Sequence, residues 1–217
     1  MKKIVTICVG IYMSTALFAQ NHVSIQYMPT LATFKYTDSN GEADPNMRSV
    51  FKSNIGVSYS HVFPKGVFIR PEIAIKNLGA TSMSYANKLE WTLSYLDLNV
   101  GLGYIKHFKA IGPYIGGAPY ISYLHKATQA VGENYYDLIS NGIKKSDFGL
   151  NLFAGIRFRI SETVAFFVEA RQGIGLNQLE TSTVSGGTEK LYNRAMSFNV
   201  GISFNLFDKH LARRTNF

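Results

Sequence analysis

Cysteine is almost absent from this sequence, with one residue, Cys8, among 217. Cys8 lies inside an N-terminal apolar stretch that we expect to be removed as a secretory leader. The mature chain would then contain no disulfide, no thiolate metal site and no cysteine nucleophile. Such a composition is compatible with an oxidising compartment in which no disulfide is needed for stability.

Long apolar runs are also lacking. After residue 20 no window contains about 18 uninterrupted apolar residues, which excludes a transmembrane helix in the mature chain. A chain without such a helix can cross a lipid bilayer only as a closed β-barrel, because every backbone amide within the bilayer needs a hydrogen-bond partner.

Acidic residues are fewer than basic ones, 14 against 22, and the formal net charge of +8 falls to +6 when Lys2 and Lys3 leave with the leader. A basic chain can bind nucleic acid, but no Lys/Arg cluster with interleaved aromatic residues occurs here. His-Glu-x-x-His, paired cysteines and Asp-rich calcium loops are missing too. We therefore expect no nucleic-acid partner, no metal and no cofactor.

The N-terminus has the organisation of a signal peptide. A basic start precedes an apolar stretch, Ile4–Met13, and a mostly small-residue stretch, Ser14–Ala19. A first strand or a membrane anchor is the alternative, but the apolar stretch is shorter than the about 20 residues of a transmembrane helix. We expect a signal peptide at 1–19, one outer-membrane β-barrel domain at 20–207 and a basic periplasmic tail at 208–217.

Eight stretches alternate apolar and polar residues, which is the period of a β-strand. In Phe148–Ile160 every even position is apolar, and the stretch exceeds the about 9–11 residues of a tilted membrane strand. We predict an all-β fold, an eight-stranded antiparallel up-and-down transmembrane β-barrel. Pro29 predicts a bulge or an irregular pairing in the first strand. The predicted strands are 23–36, 50–63, 67–78, 91–105, 113–124, 148–160, 164–175 and 195–207.

The connections between these strands alternate in length. Outer-membrane barrels have short periplasmic turns and long external loops, and eight strands with both termini inside require three short and four long connections. The sequence has this count. The short connections are Pro64–Gly66, His107–Gly112 and Ser161–Thr163, and the long ones are Thr37–Arg48, Gly79–Glu90, Ala127–Lys145 and Leu176–Asn193.

Alternation alone does not say which face is inside, because a soluble lipocalin-type barrel also alternates, with its apolar face inward. Glycines on the polar face favour a polar interior, since an eight-stranded barrel is barely wide enough for side chains. Opposite charges on that face favour it too, because buried charges must be paired. We interpret them as a plug in which Glu72 and Glu169 pair with arginines, the alternative being a narrow ion pathway. The predicted luminal charge network is Arg70, Glu72, Lys76, Asp97, Arg157, Arg159, Glu169 and Arg171.

Aromatic residues recur near the edges of the apolar face. Trp and Tyr are enriched where a membrane meets water, so these residues predict an aromatic girdle. Ordinary barrel packing is the alternative for each residue taken singly. The predicted girdle is Tyr59, Phe63, Trp91, Tyr104, Tyr123 and Phe166.

Three segments carry a resemblance to a known family. Tyr95–Tyr123, YLDLNVGLGYIKHFKAIGPYIGGAPYISY, resembles the central hairpin of the PorT-like outer-membrane β-barrel family of Bacteroidota-type bacteria. Phe166–Leu179, with its Glu–Ala–Arg core, resembles that family's next-to-last strand, and Ser197–Phe207 resembles its closing strand. The resemblance implies a bacterial outer-membrane location and an eight-stranded barrel. It also implies an accessory role in protein secretion as one possible function, because some relatives assist secretion.

The predicted function is that of a non-enzymatic, monomeric outer-membrane barrel whose external loops bind a partner or have a structural role. The expected partners are outer-membrane lipid and lipopolysaccharide, through Lys88, Lys144 and Lys145. A protein partner could instead be anchored by apolar and aromatic loop residues. These are Tyr85, Tyr135, Tyr136 and Leu138.

A lipid-modifying enzyme is a further alternative. His125 precedes Asp137 and Ser140 in an external loop, and a His/Asp/Ser set can perform acyl transfer. We favour the simpler interpretation of a rim histidine near ordinary loop residues, and therefore expect no catalytic residues.

Overall fold

The computed structural model describes residues 20–37, 42–84, 87–132, 134–138, 143–179 and 190–206. The expected leader and tail lie outside the described residues, as do Tyr85, Ser140 and Phe207. Regular structure within the described ranges is entirely β-strand. The strands are β1 Gln20–Thr37, β2 Val50–Val62, β3 Val67–Ser84, β4 Asn87–Ile105, β5 Ile111–Val131, β6 Asn134–Asp137, β7 Ser146–Arg159, β8 Val164–Gly175 and β9 Lys190–Leu206.

The long strands form one closed antiparallel ring. Each long strand pairs with its neighbours in the chain, and β9 pairs with β1 to close the ring. This confirms the predicted eight-stranded up-and-down barrel. The short strand β6 lies outside the ring and pairs with the last residues of β5. We call the end with the short connections the turn end and the opposite end the loop end.

The strands extend further at the loop end than the sequence predicts. The predicted loop Gly79–Glu90 is wrong, because β3 and β4 continue as a paired hairpin there, with Gly79 opposite Thr92. In the same way β5 runs to Val131 instead of ending at Leu124. Small and polar residues dominate these extensions, so the alternation that marks membrane strands stops before the strands do.

Two of the irregularities in the sheet bear on the sequence predictions. Pro29 breaks the ladder between β1 and β9, which resumes at Thr30 in the same register, so the proline removes a donor without forming a bulge. A register shift instead lies between Ser94 and Tyr95 of β4, where His125 on β5 is the extra residue. His125 and Lys126 are consequently both exposed on the outer surface of the barrel.

The barrel is apolar outside and polar inside. Ile55 on the outer face is 57% exposed, whereas the inward Glu72 is 2% exposed. The same contrast holds around the ring, which contradicts the lipocalin-type alternative and confirms the predicted orientation. No helix among the described residues is long and apolar enough to cross a membrane.

Candidate functional site

The interior of the barrel is filled in three layers, which the inward side chains of β3 pass in order. Phe68 belongs to an apolar cluster at the turn end, which we call the turn-end cluster. Arg70, Glu72 and Lys76 belong to a charged middle layer. Leu78 belongs to a second apolar cluster, the loop-end cluster. The charged interior predicted from the sequence is therefore mainly the middle layer, although buried polar residues such as His22 and Ser203 also lie near the turn end.

Arg171 on β8 is the centre of the middle layer. Its two terminal nitrogens donate hydrogen bonds of 2.6 and 2.9 Å to the two carboxylate oxygens of Glu72 on β3. Its Nε and one terminal nitrogen also donate to Oε1 of Glu169, at 3.0 and 2.8 Å. Because β3 and β8 are opposite one another in the ring, the pair with Glu72 crosses the lumen.

Arg70 forms a second connection across the lumen. Its guanidinium lies 2.7 Å from Oε2 of Glu169 and 4.2 Å from the ring centroid of Phe153. Asn199 donates to Glu169 at 2.9 Å, and Asn99 donates to Glu72 at 3.1 Å. The buried carboxylates are thus both paired and hydrogen-bonded, which is the condition for keeping charge in a low-dielectric interior.

Lys76 and Asp97 form the third ion pair of the layer, at 2.8 Å. Ser122 donates to the other oxygen of Asp97 at 2.6 Å, and the Lys76 ammonium lies 5.2 Å from the ring centroid of Tyr120. Six of the eight predicted network residues therefore meet in the middle layer, three cations against three carboxylates.

The two remaining predicted residues, Arg157 and Arg159, do not join this network. Arg157 lies nearer the turn end and donates to Ser203 at 2.8 Å, and Arg159 is exposed at the end of β7. Burial, together with these two arginines, lowers the pKa of His107 in the adjoining turn.

Asp147 is a buried carboxylate that lies outside the predicted strands and outside the predicted charge network. It is 0% exposed, and one of its oxygens accepts hydrogen bonds from Tyr120 at 3.2 Å and Asn193 at 2.8 Å. No described cation pairs with it. Its position was detectable, because Asp147 has the same parity along β7 as the inward-facing Asn151.

The luminal glycines face aromatic rings. At Gly103 an added Cβ would lie 2.5 Å from Cζ of Phe68, which is directly opposite it on β3. Five of the luminal glycines thus make room for rings in the narrow interior. The directly opposed pairs are Phe68–Gly103, Tyr114–Gly155, Phe153–Gly116, Tyr120–Gly149 and Phe167–Gly201.

The predicted aromatic girdle is divided by the structure. Tyr59, Tyr104 and Tyr123 are exposed on the outer face, and Phe166 stacks on the outward Phe158. Phe63 lies just after β2, edge-on to His61.

The girdle assignment of Trp91 needs correction. Trp91 packs against the loop-end cluster and contacts Phe34 edge to face at 6.4 Å between ring centroids. It has the same strand parity as the inward-facing Leu93 and Tyr95, which is why it does not face outward.

The candidate acyl-transfer set is not assembled by the described residues. His125 is the extra residue of the bulge on β5, whereas Asp137 lies on β6 opposite Thr128. Ser140 lies outside the described residues. The described residues also contain no group of three or more His, Cys, Asp or Glu side chains that could hold a metal ion.

The fold is shared with known outer-membrane proteins. OprG from Pseudomonas aeruginosa is 12% identical, with a TM-score of 0.59 over 87% of this chain and 97% of that chain. Neisserial surface protein A is also 12% identical, with a TM-score of 0.52 over 87% of this chain and 99% of that chain. No family model and no curated protein matches the sequence. The likeness therefore shows the fold, and membership of the PorT-like family stays a prediction.

Proposed function

We propose that this chain is an integral, non-enzymatic protein of the bacterial outer membrane whose lumen is closed. The observation that carries the proposal is the inverted distribution of side chains, with apolar residues exposed around the whole ring and ion pairs buried within it. An apolar surface of this extent in a folded chain needs a lipid or protein covering. Antiparallel barrels satisfy all backbone groups within lipid.

The packing of the lumen supports a closed barrel. Two ion pairs, Arg171–Glu72 and Arg70–Glu169, join opposite walls, and apolar clusters lie above and below them. Two of the spaces among the luminal side chains measure about 30 and 40 Å³, each enough for a few water molecules. An eight-stranded barrel has little space beyond that needed by its own side chains.

The proposal predicts two results for the purified full chain. It should stay folded only in detergent or lipid, and in a planar bilayer it should add no steady ionic current to that of the bare membrane. Electrophoretic mobility that changes on heating checks that the inserted protein is folded. A folded monomer in plain buffer would refute the membrane assignment, and reproducible ohmic steps would refute the closed lumen.

The loop end is the part of the barrel that we propose binds lipopolysaccharide. The bulge exposes His125 and Lys126 just beyond Tyr123, where the apolar outer surface ends. Lys145 lies close to this bulge, because its carbonyl accepts a hydrogen bond from the amide of Leu124. Its side chain is exposed. Lys88 contributes less charge than expected, because it lies 3.3 Å from Glu90.

Neutralising these lysines tests the lipid partner. We expect the triple variant Lys126→Gln, Lys144→Gln, Lys145→Gln to bind lipopolysaccharide about tenfold or more weakly, since each lysine near an anionic membrane surface contributes about 1 kcal/mol. The control carries three exposed turn-end lysines changed to glutamine. Binding measured in detergent should be unchanged in the control, and equal losses in both would argue against a loop-end site. The control residues are Lys65, Lys106 and Lys109.

An accessory role in protein secretion is the second proposed function. It rests on the resemblance to PorT-like proteins, and it is supported by Tyr135 and Tyr136 on β6, which are 78% and 52% exposed. Exposed aromatic residues on a short strand at the sheet edge suit a protein partner. Deleting the gene and comparing secreted proteins and lipid A would separate this role from lipid binding and from lipid modification.

A further inference from the structure

A cavity of about 40 Å³ lies between the middle layer and the turn end, where apolar side chains such as Phe68 and Ile105 share its wall with polar groups. Its lining includes two guanidinium groups, Arg70 and Arg157, and the hydroxyl groups of Ser24, Ser60 and Ser203. No carboxylate is among the described residues that line it. The cavity is therefore rich in hydrogen-bond donors and has positive charge on its wall.

The charges around this cavity do not balance. Glu72 and Glu169 are paired with Arg171 and Arg70, whereas Arg157 has a hydroxyl partner, Ser203, and no ion pair within the described part of the chain. Three guanidinium groups thus face two carboxylates. One positive charge is left over, and keeping it on a partly buried guanidinium without a counter-charge is unfavourable.

A second observation indicates that a ligand completes the cavity. Arg70 is 7% exposed, and its Nε–H is buried without a hydrogen-bond partner, although a terminal nitrogen pairs with Glu169. Buried donors in folded proteins are nearly always satisfied by protein, water or an ion. An anion would accept this hydrogen bond and also neutralise the surplus charge of Arg157.

The size of the cavity limits the anion. A bound water needs about 10–15 Å³ of such space, so the cavity holds roughly three water-sized bodies. A monoatomic anion with one or two waters fits this space. We propose that this cavity binds one chloride ion, coordinated by Arg157 and Arg70 together with the serine hydroxyls.

Thermal unfolding of the full chain in detergent tests the proposal. At equal ionic strength the unfolding midpoint should be higher in sodium chloride than in sodium gluconate, because an anion that binds only the folded state stabilises it. Arg157→Gln should weaken chloride affinity by about tenfold or more, which removes most of this difference. Arg157→Lys keeps the positive charge and should keep part of the midpoint difference between chloride and gluconate. The matched control is Arg159→Gln, an exposed arginine on the same strand, which should leave the difference intact.

Bromide soaked into crystals of the unmodified protein gives an answer that does not depend on any variant. An anomalous peak within hydrogen-bond distance of the Arg157 guanidinium supports the site. Density for water alone in this cavity would overturn the proposal, as would a chloride-dependent midpoint shift of unchanged size in Arg157→Gln.

Discussion

Replacing Arg171 by methionine is expected to lower the free energy of unfolding by about 3–5 kcal/mol. The substitution keeps an unbranched apolar stem and removes the guanidinium. Glu72 then loses its ion-pair partner, and Glu169 keeps only Arg70. Stability is lost because the buried Glu72 carboxylate is left without a compensating positive charge. The free-energy cost of this unpaired charge exceeds the net stabilisation that the ion pair provides.

The measurement is urea unfolding in detergent or lipid, followed by the fluorescence of Trp91, the single tryptophan. Arg159→Met is the control, since an exposed arginine at the turn end should change stability by no more than about 0.5 kcal/mol. The double variant Glu72→Met, Arg171→Met should recover most of the loss, because an apolar pair replaces the ion pair. A double variant whose loss equals the sum of the losses in Glu72→Met and Arg171→Met would show that the two side chains are not coupled.

Gly116→Ala is expected to destabilise the barrel by about 1–3 kcal/mol or more through overpacking. The added Cβ would lie 2.5 Å from the carbonyl oxygen of Leu102 and 2.5 Å from Cζ of Phe153. Both the backbone of β4 and a ring of the turn-end cluster would have to move. The adjacent Gly117 is the matched control, because its Cβ would point to the other face and meet nothing closer than 3.6 Å.

Gly117→Ala is therefore expected to be neutral, or to stabilise by about 0.4–1 kcal/mol through the lower entropy of the unfolded chain. The two variants are compared by the same urea titration. Adding Phe153→Leu to Gly116→Ala should restore only part of the stability, since the contact with the Leu102 carbonyl remains. Equal stability of the two alanine variants would mean that the Phe153 ring and the Leu102 carbonyl can move aside without lowering the free energy of unfolding.

The parity of each strand was sufficient to predict most of the barrel. Alternation located the ring strands and assigned Arg70, Glu72 and Arg171 to one interior, because a period of two fixes which residues share a face. Errors arose where this signal was not followed or did not exist. Trp91 lies on the inner side, as its parity requires, although its aromatic character predicts the outer face. Gly79–Glu90 forms paired strands although its residues lack alternation, so the pattern predicts a loop there.

The partners of the charged residues were beyond the sequence. Four arginines were candidates for Glu72 and Glu169, and only the ring order shows that β3 and β8 are opposite one another, so that Arg171 reaches Glu72. The hydrogen-bond partners of Asp147 and the lining of the cavity beside Arg157 could not be predicted either. Both depend on the height of residues along the barrel axis. Parity gives a side of the sheet and contains no information on height.

By itself the sequence determined the barrel architecture and which strand faces point outward. Hydrophobic alternation, glycine on the polar face and the alternating lengths of the connections are all local properties of the chain. Tertiary structure alone decided which charges meet, that apolar clusters lie on both sides of the charged layer, and that Arg157 lines a cavity with no carboxylate among its described lining residues. The physical reason is that these contacts join residues far apart in the chain. Their distances follow from strand register and barrel closure, which the alternation pattern does not specify.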